Sequence, residues 1–266
     1  MGDFSRQYRL DRTAQATIGS GRIPPLLSSS KHMQSPDIIY EDRHLVAVMK
    51  PARIPVASED SGDQTLLEIV RAWNVARQAD GKKGYCVPIH FLDRPVSGVI
   101  LFALSSKGAE RLNELFRQRD MHKTYIALCQ GVPVQAEGTL EHWLAKDRDE
   151  NRARVVRAGA PDGKKCLLSY RVLAEVGGRA LMEVKPVTGR SHQIRAQMAT
   201  IGCPLVGDVK YGAPKTWEGR VALHAARLEF SHPVGGAPMK LLAPIPGYWR
   251  EIWPSAFPAT QDIIFP

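Results

Sequence analysis

Apolar residues recur along this chain with two different periods, and the switches between them mark its elements. IIYEDRHLVAVMKP, from Ile38 to Pro51, sets two apolar runs around a polar turn at Glu41–His44 and predicts a strand pair. Thr65 and Glu68 form a capping-box pattern ahead of Leu66, Ile69, Val70 and Trp73, so a helix starts there. VPIH, residues 87–90, reads as a short strand, and the loop Asp93–Ser97 carries it into a buried strand, Val99–Leu104. Ser106 is placed to cap a helix whose apolar face is Ala109, Leu112, Leu115 and Phe116. In KTYIALCQG alternation sets Lys123, Tyr125, Ala127 and Cys129 on one strand face. Pro161-Asp162-Gly163 and Gly177-Gly178 are turn signals between strand-like stretches, as in an antiparallel meander. Ser191 precedes Ile194, Met198 and Ile201, with Gly202 as a stop, which predicts a helix of about three turns. ALHAARLEF, residues 222–230, reads as the last strand, followed by a Pro-rich tail.

Strands do not alternate regularly with helices and there is no internal repeat. The pattern therefore predicts an α+β fold with a mixed, mainly antiparallel sheet rather than a doubly wound one. Residues 1–36, with GSGRIPPLLSSSKH among them, show no sustained period and read as a flexible N-terminal extension, leaving 37–266 as the folded domain.

Composition narrows the partners. The longest strongly apolar run, Val99–Leu104, is far short of a membrane span, and the N-terminus lacks the apolar stretch of a secretory signal, so the cytoplasm is expected. Cys86, Cys129, Cys166 and Cys203 are isolated in sequence and read as reduced, core-facing thiols. His90, His122, His192, His224 and His232 show no zinc-type spacing, so no metal is expected. A net charge of +9 makes a polyanionic partner plausible.

Three clusters could carry chemistry. In HFLDRPVSG, residues 90–98, Asp93 lies on a short loop at the mouth of the core, where a carboxylate either acts or pairs with Arg94 as a turn residue. In VTGRSHQIR, residues 187–195, His192 and Arg195 are three apart and share a helix face. Arg195 falls in the first turns, where the helix dipole disfavours a cation, so it calls for an anionic partner or lies solvated on the surface. In KTYIAL, residues 123–128, Tyr125 beside Lys123 offers an aromatic platform with a cation, or is a tyrosine half buried in the sheet.

In order and spacing these clusters resemble the RluA-type family of pseudouridine synthases. HFLDRPVSGVILFALSSK is similar to that family's His-Arg-Leu-Asp-Arg-x-x-Ser-Gly signature. KTYIALCQG is similar to its Lys-x-Tyr strand, and VKPVTGRSHQIRAQMATIGCPLVGDVKYG to its longest motif. IIYEDRHLVAVMKPARIPV resembles the opening strand pair and LHAARLEFSHPV the closing strand, so the likeness covers about residues 37–250.

The resemblance implies a sheet split around a central RNA-binding cleft and flanked by helices, isomerisation of uridine without a cofactor, and ribosomal or transfer RNA as partner. The protein itself is expected to be a monomer. Position by position, Asp93 would be the catalytic carboxylate. Tyr125 would stack on the flipped base and assist proton removal, and Arg195 would hold Asp93 ionised and oriented. His90, Phe91, Arg94, Lys123, Arg190, His192 and Gln193 would line the RNA site. The chemistry suits these types: breaking the C1′–N1 bond builds positive character on the ribose, and a carboxylate stabilises it, attacks C1′ or takes a proton. Attack at C1′, addition at C6 and elimination from the sugar all remain open. Phe91 departs from the pattern, since the family usually has arginine there, against the RNA. Residues 1–36 are also too few for the S4-type RNA-binding domain that many members carry.

Overall fold

The computed structural model describes residues 35–58, 62–78, 84–147 and 149–253, so the expected extension lies outside the described residues except for its last two positions. Strands β1 (Asp37–Glu41) and β2 (Leu45–Lys50) form the expected hairpin. Its turn is set by Asp42, whose Oδ1 accepts the backbone N–H groups of His44 at 2.7 Å and Leu45 at 2.9 Å. Helix α1 (Leu66–Ala76) starts on the capping box read from the sequence, with Thr65 and Glu68 each bonding the other's backbone N–H. β3 (Val87–Pro88) is shorter than VPIH suggests, because Pro88 has no N–H to extend the ladder.

β4 (Ser97–Ala103) is buried along its whole length, the signature of a central strand. Helix α2 (Ser106–Gln118) is capped by Ser105, not Ser106. Ser105 is still extended at φ −145°, so its Oγ reaches the Gly108 N–H, whereas Ser106 is already inside the helix.

The chain continues through β5 (His122–Gln130), β6 (Glu137–Asp147), β7 (Arg152–Val156), β8 (Lys164–Val176) and β9 (Arg179–Pro186). The β8–β9 turn is Gly177-Gly178, both at positive φ, as a tight hairpin requires. Helix α3 runs Gln193–Thr200, nearer two turns than three, and it starts after His192 rather than at Ser191. A 3-10 turn (Val209–Tyr211) and β10 (Leu223–Ser231) follow. β10 is not the last strand. β11 (Pro238–Leu242) pairs back onto it, and the Pro-rich stretch beyond carries a second 3-10 turn, Gly247–Glu251. Pro238 opens β11, a position where its missing N–H costs no ladder bond, so the prolines delimit the element rather than exclude it.

The eleven strands among the described residues join one sheet in the order β1-β2-β4-β10-β5-β9-β8-β6-β7, with β11 beside β10 and β3 beside β4. Every pairing is antiparallel except β4 with β10, which meet in parallel over only two residue pairs, Ser97–His224 and Gly98–Ala225. β2 takes one edge of β4 along its length, so β10 and β3 must share the other, at opposite ends. The sheet forks there, and the fork makes room for the loop that carries Asp93. Gly98 permits the seam: a Cβ would stand 2.4 Å from backbone atoms of Ala225. Trp217, Trp249 and Trp253 pack with Ile126, Leu128, Leu181 and Ala226 over β5, β9 and β10 and hold the middle of the sheet rigid.

Candidate active site

The Asp93 loop is held by buried bonds from neighbouring strands. Its own carbonyl accepts the Val96 N–H at 2.9 Å, and the Pro95 carbonyl accepts the Val221 N–H at 3.1 Å. Lys50, at the end of β2 and fully buried, donates its ammonium protons to the carbonyls of Pro51 at 3.0 Å, Arg94 at 3.1 Å and Val96 at 2.7 Å. A buried ammonium needs such a cage to offset its desolvation, and the cage fixes the loop in return.

Arg195, on the first turns of α3, is 5% exposed and lies between two carboxylates. Its Nε and Nη2 donate to Oδ2 and Oδ1 of Asp208 at 2.7 and 2.8 Å, and its Nη1 donates to Oδ2 of Asp93 at 3.0 Å. Burial alone would lower the guanidinium's pKa, but bonds and charge from Asp208 and Asp93 raise it well above its ordinary value. The anionic partner that the helix dipole demanded is therefore double. Asp93 pairs with Arg195 and not with its neighbour Arg94.

His192 brings its Nε2 to 3.8 Å from the same Oδ2 of Asp93. Burial pushes its pKa down, helped by Arg195 and Lys210 and opposed by Asp93 and Asp208, so it is neutral at pH 7. Both partners address Oδ2, which leaves Oδ1 without a partner among the described residues.

Asp93 and Tyr125 line a cleft of about 640 Å³. Tyr125 projects from β5, and burial, with the nearby Asp93 charge, raises its pKa well above the ordinary phenol value. It is a protonated phenol at any physiological pH. On the far wall, the His90 ring lies 5.5 Å from that of Phe116, and the Lys123 ammonium stands 5.4 Å over the Phe116 ring. Burial lowers the Lys123 pKa, and burial with Lys123 nearby pushes His90 down to about 3. His90 is thus a neutral ring whose Nε2 accepts the Leu101 N–H at 3.2 Å.

The remaining residues expected at the RNA site fall in different places. Phe91 stands at the cleft with 65% of its surface exposed, so its ring is no core residue. Arg190 is exposed at the rim. Gln193 is buried and its amide is spent on the chain itself. Its Oε1 accepts from the Thr188 hydroxyl at 2.7 Å and the Arg190 N–H at 3.1 Å, and its Nε2 donates to the Leu167 carbonyl at 3.1 Å. Arg94 is the one that does not line the cleft; its guanidinium donates to the Arg53 carbonyl and to Asp63. Three residues the sequence reading did not single out complete the site: Lys50, Asp208 and Tyr211. The last two stand in VGDVKYG, inside the longest motif, but nothing local marks Asp208 as buried opposite an arginine thirteen positions away.

Among the described residues no group of three His, Cys, Asp or Glu side chains is gathered as for a metal, and no helix is long and apolar enough to cross a membrane.

The fold is shared with two solved human structures. RNA pseudouridylate synthase domain containing 1 matches with a TM-score of 0.66 and 25% identity over 83% of this chain and 87% of its own. RNA pseudouridylate synthase domain containing 4 matches with a TM-score of 0.66 and 24% identity over 80% and 90%. Architecture and site together define a pseudouridine synthase class of enzyme. Residues 44–200 match the model of the RNA pseudouridylate synthase family. The tRNA pseudouridine synthase C of Pectobacterium carotovorum subsp. carotovorum is 34% identical over 98% of this chain and 74% of its own length. The dual-specificity RNA pseudouridine synthase RluA of Haemophilus influenzae is 34% identical over 76% and 90%. The chain belongs to the RluA-type family of RNA pseudouridine synthases and is an isomerase.

Proposed function

We propose that Asp93 is the reacting carboxylate and that the chain isomerises specific uridines of transfer or ribosomal RNA, as a monomeric cytoplasmic enzyme whose catalytic domain runs from 37 to 266. One observation carries the reading: among the described residues Asp93 is held through Oδ2 and its other oxygen has no partner, on a side chain that lines the cleft. The reaction breaks C1′–N1, joins C1′ to C5, releases the C5 proton and puts a proton on N1. Attack at C1′, addition at C6 and elimination from the sugar all need a carboxylate with one available oxygen, and the bond from Arg195 to Oδ2 orients Asp93 so that Oδ1 is that oxygen.

Tyr125 stacks on the uracil once it leaves the RNA stack. Its phenol is protonated, which suits stacking and hydrogen-bond donation, while help with proton removal calls for a base to take the phenol's own proton. Phe91 and Arg190 meet the strand at the rim, while Lys123, His90 and Phe116 form the wall beside the base. His192 faces Asp93, Gln193 braces the rim loop, and Arg94 acts behind the loop. Transfer and ribosomal RNA are supported as substrates by the names of the relatives, which include a ribosomal large subunit synthase of Rickettsia prowazekii, 30% identical. The scattered exposure of large apolar side chains such as Val134 and Val176 accords with a monomer.

The test is to map pseudouridines in total RNA from cells with and without the gene, complemented by wild type or by Asp93→Asn. One or a few positions should lose the modification, and Asp93→Asn, similar in shape but uncharged, should not restore it. Restoration by the asparagine variant overturns the carboxylate assignment, and an unchanged map overturns the choice of RNA.

A further inference from the structure

Both partners of Asp93 reach it from the start of α3, yet neither is held by that helix alone. Arg195 is anchored by Asp208 through two parallel bonds, which leave Nη1 as the nitrogen aimed at Asp93. His192 sits at φ 53°, a left-handed conformation unfavourable for histidine, and its Nδ1 lies 2.9 Å from the Tyr211 hydroxyl. Nε2 faces Oδ2 of Asp93, where a lone pair would meet a carboxylate unfavourably, so the histidine proton is assigned to Nε2. Nδ1 then accepts from the Tyr211 hydroxyl, whose oxygen in turn accepts the Ala153 N–H at 2.8 Å.

Asp208 and Tyr211 come from one short turn. The Asp208 carbonyl accepts the N–H groups of both Tyr211 and Ala213 at 3.0 Å, and the turn enters at Gly207, where a Cβ would lie 2.4 Å from the Arg220 carbonyl oxygen. The two anchors are therefore fixed relative to each other.

We propose that the turn from Asp208 to Tyr211 is the positioning element of the reaction: it clamps Arg195 and His192 onto one oxygen of Asp93 and so selects Oδ1 as the oxygen that meets the ribose or the base. The inference rests on Asp93 being the reacting carboxylate, and the experiment separates the two ideas.

Asp208→Asn, Asp208→Glu, Tyr211→Phe and Asp93→Asn are compared with wild type. Tritium release from 5-tritiated uridine in the mapped RNA is followed in single turnover, with RNA binding by filter retention and folding by thermal melting. Asp93→Asn should be inactive. Asp208→Asn should slow the step roughly a hundredfold and Tyr211→Phe roughly tenfold, the scale of a small misplacement at a reacting group, with RNA affinity within about twofold of wild type. Asp208→Glu, which restores the charge, should recover part of the rate lost in the asparagine variant. Nitrogen-15 spectra of the histidines should show, besides His224, whose Nε2 donates to the Ala243 carbonyl, a ring protonated at Nε2 and bare at Nδ1 that belongs to His192. Its signal should vanish in His192→Gln and move in Tyr211→Phe.

The clamp is overturned if Asp93→Asn is inactive while Asp208→Asn and Tyr211→Phe turn over at wild-type rates. It is equally overturned if their losses only track the unfolded fraction, or if His192 carries its proton on Nδ1. Turnover by Asp93→Asn removes the assignment beneath it.

Discussion

At the scale of single residues, Phe91 is where this chain departs most from its family's signature and where the structure says most about the departure. A phenyl ring with 65% of its surface in water, at the cleft and two positions before Asp93, is too costly to be a packing residue. It is suited to insert against a base step once the uridine has left, since apolar side chains fill such gaps, but it holds no phosphate. Phe91→Ala should fold normally and lose roughly tenfold in kcat/KM, about the value of one base–aromatic stack. Phe91→Arg should remain active and steepen the dependence of affinity on salt by about one phosphate contact. Turnover and melting temperature for both variants decide the matter; wild-type kcat/KM in Phe91→Ala would leave the ring without a role.

Among the elements, β10 joins the two halves of the sheet, and a buried histidine on it bonds across to β4. His224 shares a hydrogen bond with Ser97 of β4 at 2.9 Å and another with the Ala243 carbonyl at 3.0 Å. Burial pushes its pKa down to about 4, against an ordinary value near 6.5. Between those values the unfolded chain takes up a proton that the folded chain refuses, so stability falls as pH drops from about 6.5 toward 4 and is level above about 7. His90, down to about 3, acts in the same direction. Each such histidine contributes a slope of at most about 1.4 kcal/mol per pH unit within its window. Urea midpoints at pH 7 and pH 5 should therefore separate in wild type and separate less in His224→Gln. Equal separation in the two proteins would remove His224 as the cause.

Elements also show how far pattern reading reaches. The β1–β2 hairpin, the α1 capping box and the Gly177-Gly178 turn were legible because each is set by side chains within a few positions of the backbone groups they satisfy. β11 was hidden behind a proline-rich composition, because whether Pro238 ends a strand or opens one depends on the strand it pairs with.

For the whole molecule, the relevant quantity is charge. A chain with a net charge of +9 that binds a polyanion must release counterions, so affinity for RNA should fall steeply with salt. For about four phosphate contacts the loss between 50 and 200 mM salt is roughly a hundredfold. A filter-binding series checks this, and a flat response would point away from a phosphate-bearing substrate.

Sequence alone determined the α+β class and the elements on either side of a central meander, and it singled out Asp93, Tyr125 and Arg195 as candidates, because periodicity, caps and motif spacing are local. It could not decide what those residues do to one another. That Arg195 is shared between Asp93 and Asp208, that His192 turns its Nε2 to Asp93, and that Arg94 serves the loop's back are products of the fork at β4. Positions 93, 125, 195 and 208 lie on four separate segments, and they meet only in the folded chain, with β5 and β4 both paired to β10. Burial then completes what proximity begins, since it is the exclusion of water that turns a neighbouring carboxylate and guanidinium into a fixed, oriented pair.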